Sequence, residues 1–461
     1  MGSRVGVVGA GYVGLTSAAC LAHLGHHVVC VDNDEAKVAA LRAGTVAIVE
    51  PGLPELVREG LAENRLVFTS DPGALHECEV VLLCLPTPMG TGGSADLGVF
   101  EDALETLSTV LPPDCVLVTK STVPVGTAAR IPALSGLAST AVVSNPEFLR
   151  EGHAVEDFLH PDRVLVGAAE HDRESAERVA ALYAGTGAPV LRSDPASAEL
   201  AKYASNAFLA MKLSFVNTLA ELCERVGADI TKVTGAMGMD DRIGPAFLAP
   251  GPGWGGSCLP KDTRALLRAA EASGVDFALV RDTLRANDHQ QAMVLRKIRR
   301  AVTGAVDGSL SGTRIGVFGL AFKAGTGDLR DSPAVAVARQ LSRHDATVTA
   351  YDPCVPAGTP DLDGIRVVDD PYLVAKDAGA LAVLTEWPEF RALDWAKLAT
   401  DVDRPVIVDT RNLLDEQLLS GTGFTLWSNG TTGAAESSRA RSAAAANGES
   451  SQSSTSEQGT R

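Results

Sequence analysis

Short apolar runs alternate along this chain with longer stretches in which apolar residues recur at helical spacing. Residues 4–9 (RVGVVG) form a run that breaks at Gly9, a helical pattern covers 12–24, and VVCV at 28–31 ends in Asp32. Further runs stand at 80–85, 115–119, 141–143 and 164–167. Brief buried runs separated by amphipathic stretches predict a parallel sheet with crossover helices over residues 1–195. From 196 to 301 the pattern turns helical, interrupted once by the Gly/Pro-rich LAPGPGWGGSCLPKD. From Arg314 the alternation restarts as RIGVFGLAF, ATVTAYDP, ALAVLTEW and PVIVDTRN, which predicts a second α/β unit over 312–428. The expected architecture is α/β, with two doubly wound units joined by a central helical domain. After Asn429 the composition collapses into Ser, Ala, Gly, Thr and Gln, and 431–461 holds no large aliphatic or aromatic residue. Such a segment buries too little apolar surface to offset chain entropy, so disorder is expected there.

Composition narrows the classes. The 461 residues carry 40 Lys+Arg against 57 Asp+Glu, a net charge of −17. That sign argues against a general nucleic-acid binder, which needs a basic surface. No uninterrupted apolar run reaches the ~18 residues of a membrane span. The start MGSRVGVVGAGYVG reads as a strand entering a turn rather than a leader, and Gly6 occupies the place of the Ser or Thr that a myristoylation signal requires. A cytoplasmic, soluble protein is the expectation. Eight cysteines are scattered without CxxC or Cys/His ligand spacing, so reduced thiols and no metal site are expected.

Three segments carry candidate chemistry. Gly9-Ala10-Gly11-Tyr12-Val13-Gly14 lies between a strand and a helix, with Asp32 closing the next strand. Gly9 allows the tight turn, Gly11 lets backbone approach a pyrophosphate, Gly14 permits close helix packing, and Asp32 accepts from ribose hydroxyls. This is the arrangement of a Rossmann-like dinucleotide-binding unit. No Arg follows Asp32 to hold a 2′-phosphate, which favours NAD over NADP. In the second segment, GGSCLPKD, a glycine-rich loop delivers Cys258 just before Pro260 and Lys261. A helix beginning there would put Cys258 near its positive end and favour the thiolate; a small residue packed under a loop is the plainer alternative. Lys202 and Asn206, four residues apart, share one helix face, either as a solvated stripe or, since Asn206 lies among apolar neighbours, with a buried amide that needs partners. The third segment, NPEFLREG, sets Glu147 and Glu151 just past a strand end, where open sheets place ligands, although a charged helix start would look the same.

Together VGVVGAGYVGL, LCLPTP, KSTVPVGT, NPEFLREG, AELAKYASNAFLAMKLSFVN, RIGPAFLAPGPGWGGSCLPKD, GLAFKAGTGDLRDSP and VDTRN resemble the UDP-glucose/GDP-mannose dehydrogenase family, in family order from residue 5 to about 428. The resemblance implies a four-electron, NAD-dependent oxidation of C6 of a nucleotide sugar, UDP-glucose first. GDP-mannose, a UDP-N-acetylhexosamine or a dTDP-sugar are the alternative donors. It implies Cys258 as a nucleophile passing through thiohemiacetal and thioester, with Lys202 and Asn206 stabilising the oxyanion and Thr122, Glu147 and Asp262 positioning or activating water. Cofactor contacts carried over are Gly9, Gly11, Gly14, Asp32, Lys37, Thr87, Thr122, Glu151, Lys261 and Arg330. Nucleotide-sugar contacts carried over are Phe148, Leu149, Arg150, Glu151, Lys202, the stretch Phe247, Leu248, Ala249, Pro250 and Gly251, then Gly255 and Lys323. Arg242 is expected to reach the sugar of a neighbouring subunit in a homodimer built on the central helices. Three positions depart from the family pattern: Trp254 stands for Phe or Tyr, Gly327 for Asp, and Thr410 for Gly. A two-electron β-hydroxyacid dehydrogenase shares the two-unit plan and a catalytic Lys, but Cys258 in its full motif argues against it. A non-catalytic nucleotide-sugar sensor would be expected to lack one of these residues.

Overall fold

The computed structural model describes residues 2–90, 95–135 and 140–431. Residues 432–461, where disorder was expected, lie outside the described residues. The chain divides into two compact units, one comprising residues up to Phe208 with Cys258–Arg281, the other Leu209–Ser257 with the described residues from Asp282 onward.

The first unit is built on a sheet of eight strands among the described residues: β1 Arg4–Val8, β2 His27–Val31, β3 Leu66–Thr69, β4 Val80–Leu83, β5 Val116–Thr119, β6 Val142–Ser144, β7 Val164–Gly167 and β8 Val190–Ser193. Their order is β3-β2-β1-β4-β5-β6-β7-β8. Pairing is parallel except at β6–β7, which meet antiparallel at Ser144 and Gly167. Alternate residues face opposite layers, as a sheet covered on both sides requires. Val5, Val7, Leu82 and Val118 pack with Leu15 and Leu21 of the helix Tyr12–His23, whereas Val81, Leu83 and Leu117 pack with Phe100 and Leu104 on the other face.

The second unit repeats the plan with β9 Arg314–Phe318, β10 Thr347–Tyr351, β11 Ile365–Val367, β12 Ala380–Val383, β13 Val406–Asp409 and β14 Thr425–Ser428, all parallel, in the order β11-β10-β9-β12-β13-β14. Ile315, Val317 and Ala382 face Val337 and Leu341, while Phe318, Leu381 and Val383 face the aromatic layer of Phe390 and Trp395.

The stretch read as helical over 196–301 holds the helices Pro195–Val226, Ile230–Gly238, Leu259–Ala272 and Ala278–Thr303. Their residues are shared between the two units. Among the described residues no helix is long and apolar enough to cross a membrane.

Candidate active site

The first unit gathers the residues singled out at 147, 202, 206, 258 and 262. Cys258 caps the helix Leu259–Ala272, with Pro260 in the first turn and the Cys258 carbonyl accepting from Asp262 N at 2.9 Å. Its Sγ therefore belongs to a residue at the positive end of a fourteen-residue helix. Burial pushes the thiols of Cys20, Cys84 and Cys115 up to about 12, which leaves them inert fillers of the core. Cys258 is part-exposed.

Beside it, Lys202 Nζ lies 2.9 Å from Glu147 Oε1, with both side chains buried. Burial pulls the Lys202 ammonium down, but the charges of Glu147, Cys258 and Asp262 outweigh it and hold the pKa above the ordinary lysine value. Burial likewise pushes Glu147 up, and Lys202, the Leu149 N–H at 2.6 Å and the charge of Lys120 pull it below the usual carboxylate value. Asp262, fully buried, accepts from Asn206 Nδ2 at 2.6 Å on one oxygen and from Lys261 Nζ at 2.6 Å on the other. The i, i+4 pair Lys202 and Asn206 thus faces two carboxylates rather than solvent. Phe148 sits under two cations, with its ring centre 3.9 Å from Arg163 and 5.4 Å from Lys202. Thr122 offers its carbonyl to Thr87 Oγ1 at 2.9 Å. Arg150 is gripped by Asp157, with its shortest contact at 2.6 Å, and Glu151 is part-buried just before the buried Gly152.

At the fingerprint, Gly9 N donates to Val31 O at 2.7 Å, and the turn runs through φ +97° at Gly9. A Cβ on Gly14 would fall 1.8 Å from Gly9 O, so only glycine lets the helix start this close to the strand. Asp32 accepts from Ala10 N at 2.7 Å and Asp34 N at 3.0 Å, and Lys37 Nζ spans both its oxygens. Burial raises Asp32, but those hydrogen bonds and the Lys37 charge leave it below the ordinary carboxyl value.

The remaining predicted contacts lie in the second unit. Phe247, at φ +61°, opens the turn that carries Leu248 through Gly251, and residues 250–256 are all buried. Lys323 follows Phe322 on the segment after β9, and Arg330 on the same segment is held by Asp328 at 2.6 Å. Arg242 is strongly exposed and paired with Asp240 at 2.6 Å.

Family models match this chain along most of its described length. The NAD binding domain of the UDP-glucose/GDP-mannose dehydrogenase family matches residues 3–186, its central domain 196–289, and its UDP binding domain 316–416. The chain belongs to the UDP-glucose/GDP-mannose dehydrogenase family. It is 43% identical over 431 residues to a UDP-glucose 6-dehydrogenase of Rhizobium meliloti, covering 91% of this chain and 98% of the relative. It is 40% identical over 429 residues to the UDP-glucose 6-dehydrogenase TuaD of Bacillus subtilis, covering 91% and 92%. Among solved structures, a UDP-glucose dehydrogenase from Pyrobaculum islandicum superposes with a TM-score of 0.85 at 35% identity, covering 94% of this chain and 98% of that one.

The NAD-binding unit of this family member fits its cofactor on local grounds. A Cβ on Gly11 would meet nothing within 4 Å, which leaves an open cradle beside the backbone. The helix Tyr12–His23 has no side-chain cap and no acidic residue in its first turn, so its N–H groups remain available for a phosphate.

Three further residues of this unit and its neighbour escaped sequence reading. Buried Glu50 accepts from Tyr12 Oη, from Gly152 N at 2.7 Å and from Ala154 N at 2.7 Å, tying the fingerprint tyrosine to the loop that carries Glu151. Buried Lys120 donates to Asn145 Oδ1 at 3.2 Å and Tyr183 Oη at 3.0 Å, and its charge reaches Glu147. In the second unit, Arg411 donates to Leu384 O at 2.9 Å and Phe322 O at 3.1 Å, and a Cβ on Gly251 would lie 2.7 Å from its guanidinium. The only sequence signals were a lone Glu before a helix, the Lys of KSTVPVGT and the Arg of DTRN.

Proposed function

We propose that this enzyme oxidises the C6 hydroxyl of UDP-glucose twice with NAD and releases UDP-glucuronate, a donor suited to polysaccharide biosynthesis in the cytoplasm. The observation that carries the reading is the charge cluster beside the helix-capping cysteine, in which Lys202 pairs with Glu147, Asp262 accepts from Asn206 and Lys261, and the Cys258 carbonyl accepts from Asp262 N. An ordinary dehydrogenase has no use for a thiol there; a thioester route does.

NAD, when bound, is the two-electron acceptor for each oxidation. The fingerprint turn and open helix end receive its pyrophosphate, and Asp32 receives its ribose. All the acceptor sites of Asp32 are in use, but those lent to the part-exposed Lys37 can be surrendered to ribose hydroxyls. Thr87, Thr122, Lys261 and Arg330 complete the cofactor contacts in this reading.

The Cys258 sulfur adds to the C6 aldehyde of the first oxidation and forms a C–S bond, while the carbonyl oxygen becomes an oxyanion. Lys202, held cationic by its acidic neighbours, and the Asn206 amide stabilise that oxygen. The second oxidation turns the thiohemiacetal into a thioester. Water, oriented by Thr122, Glu147 and Asp262, then attacks the thioester carbon. The C–S bond breaks, the thiol is regenerated, and the uronate departs. Glu147 is kept ionised by Lys202 and accepts the water's hydrogen bond without first losing a proton.

Phe148 to Glu151, Phe247 to Gly251, Gly255 and Lys323 take the nucleotide sugar in this reading. The assembly is proposed as a homodimer on the long helix: Phe215, Leu222 and Val226 are 55%, 51% and 66% exposed at spacings of seven and four, an apolar stripe that a second copy would cover. Arg242, 89% exposed at its side chain, is free of the apolar face and suited to reach a neighbouring subunit.

The test is a panel of UDP-glucose, GDP-mannose, UDP-N-acetylhexosamines and dTDP-sugars followed by NADH absorbance. Two NADH per UDP-glucose with a carboxylate product is the expected result. A plateau at one NADH with free aldehyde, or preference for another donor, overturns the reading.

A further inference from the structure

The turn between the helices Ile230–Gly238 and Leu259–Ala272 is buried from Pro250 to Gly256 yet belongs to no sheet or helix. Buried backbone of that kind must find partners elsewhere. Here they come from side-chain amides on two helices. Gly251 N donates to Asn217 Oδ1 at 2.8 Å, and Gly251 O accepts from Gln290 Nε2 at 2.7 Å. Three residues on, Trp254 N donates to Asn287 Oδ1 at 2.8 Å, and Trp254 O accepts from Asn287 Nδ2 at 2.9 Å. Both backbone groups of both residues are thus taken by neutral amides. The Asn287 amide closes on Trp254 as a neighbouring strand would.

Two details show that the fit is built rather than incidental. Gly253 adopts φ +130°, and a Cβ there would lie 2.8 Å from Asn287 Oδ1, so the amide occupies the space a side chain would need. The indole of Trp254 donates through Nε1 to Ser214 Oγ at 2.9 Å, and Ser214 Oγ donates to Thr283 O at 2.9 Å. Trp254, which departs from the family pattern, therefore makes a hydrogen bond that Phe has no group to make. Ser214 and Asn217 are three apart on one helix and Asn287 and Gln290 three apart on another, so each pair presents one face to the turn. All four are buried.

We propose that Asn217, Asn287 and Gln290 are positioning residues that hold the Gly251–Trp254 turn in the shape that receives the nucleotide sugar. The proposal rests on the reading of Phe247 to Gly251 and Gly255 as the sugar-nucleotide segment. The Asn287 amide bonds Trp254 through both its oxygen and its nitrogen, so its proposed action is through the turn. Removing a clamp lets the free enzyme sample other turn conformations. The apparent affinity then falls by the fraction that remains competent, about tenfold if one in ten molecules keeps the turn.

The experiment uses the full chain, with Asn287→Ala and the pair Asn217→Ala/Gln290→Ala, each read in two ways. In hydrogen exchange without ligand, peptides spanning 247–257 are expected to lose protection while those of β1, β2 and β9 keep theirs. In steady-state assays the KM for UDP-glucose is expected to rise about tenfold, with the KM for NAD and the kcat at saturating sugar within about threefold of the parent. Unchanged exchange in the turn overturns the clamp, as does a lower melting temperature with unchanged KM for UDP-glucose, which marks a purely structural role. If the parent enzyme fails to oxidise UDP-glucose, the functional reading falls, and exchange at the turn still decides the clamp.

Discussion

Replacing Lys202 by Met separates the structural from the chemical work of the buried cluster. Lys202 and Glu147 are 2.9 Å apart with side chains 4% and 7% exposed, so the methionine fills the stem's place but leaves a buried carboxylate without its ammonium. Breaking a buried pair on one side costs about 3–5 kcal/mol. At roughly 2–4 °C per kcal/mol for a unit of this size, the melting temperature drops by about 6–20 °C. The double variant Lys202→Met/Glu147→Gln removes both charges and should regain most of that loss. Activity follows a different course: the proposed oxyanion site lacks its cation in both variants, and each is expected to turn over at least about a hundredfold more slowly. Thermal melts and NADH initial rates on the three proteins decide the matter. The pH dependence has a defined sign. The Glu147 contribution is complete above the ordinary carboxyl value of 4.5 and is lost only as pH falls through its lower native value. The Lys202 contribution is complete below 10.5 and is lost only as pH rises through its higher native value. The parent keeps both contributions between about pH 5 and 10, whereas in Lys202→Met burial raises Glu147 without the ammonium to oppose it, so the gap in melting temperature narrows as pH falls and the carboxyl takes up a proton. Recovery of turnover in the double variant would refute the oxyanion role, and a parent-like melting temperature in the single variant would refute the buried pair.

Two shorter predictions test other parts of the molecule. Cys258→Ser exchanges a thiol for a hydroxyl that is far less ionised at neutral pH, so carboxylate formation should vanish while the melting temperature stays within about 2 °C of the parent; near-parent turnover rules out covalent catalysis. Ending the chain after Gly430 should leave the melting temperature unchanged, because Ser428 O and Asn429 Oδ1 still receive Lys297 at 2.9 and 2.8 Å and Gly430 O still receives Ile230 N at 2.9 Å. Ending it after Trp427 removes all three ties and should lower the melting temperature by about 5 °C or more, and equal melts for the two truncations would refute that anchoring.

Of the fourteen strands among the described residues, ten were legible as apolar runs, and the other four share one property. β3, β8, β11 and β14 are the outermost strands of their sheets, each bonded to one neighbour only. An edge strand is half solvated, and at β8, β11 and β14 no apolar run longer than two residues results; β3 does carry Leu66-Val67-Phe68, but its burial alternates, with Val67 exposed. The antiparallel step at β6–β7 was likewise invisible, because apolar content does not encode strand direction. Cys258, Lys202 and Glu147 were singled out through the family resemblance of whole segments, since local sequence left each a plainer alternative, and the structure brings them together in one unit. Asn217, Asn287 and Gln290 were not singled out: an amide three residues from another polar side chain reads as a wet helix face until the turn it clamps is known. Trp254 stands out in the sequence only as a departure from the family pattern, and the hydroxyl that accepts its indole N–H sits forty residues earlier in the chain, at Ser214.

The two sheets show how one turn geometry was kept and its chemistry changed. Gly319 N donates to Tyr351 O at 2.8 Å with φ +92°, matching Gly9 and its bond to Val31 O at 2.7 Å with φ +97°. Leu320 N donates to Asp352 Oδ2 at 2.7 Å, as Ala10 N does to Asp32 Oδ2 at 2.7 Å. The strands concerned occupy equivalent places, β2-β1-β4 and β10-β9-β12. Beyond the turn the two diverge. In the first unit the helix begins at Tyr12 without a side-chain cap, and Asp32 shares its remaining acceptor sites with a part-exposed lysine. In the second, Asp352, already buried, also accepts from Ala321 N and the Trp387 indole on the same oxygen and from Cys354 N on the other, so both its oxygens are committed to fixed groups of the fold. The next helix starts only at Pro333, and the Ser332 hydroxyl accepts from Val335 N at its end. An acid spent on backbone cannot grip a ribose, and a capped helix end has less to offer a phosphate. The first unit can therefore hold a dinucleotide through its backbone and helix end. In the unit matched by the UDP binding domain the equivalent acid and helix end are occupied, so the proposed contact of Lys323 with the nucleotide sugar would be made by a side chain on the segment after β9.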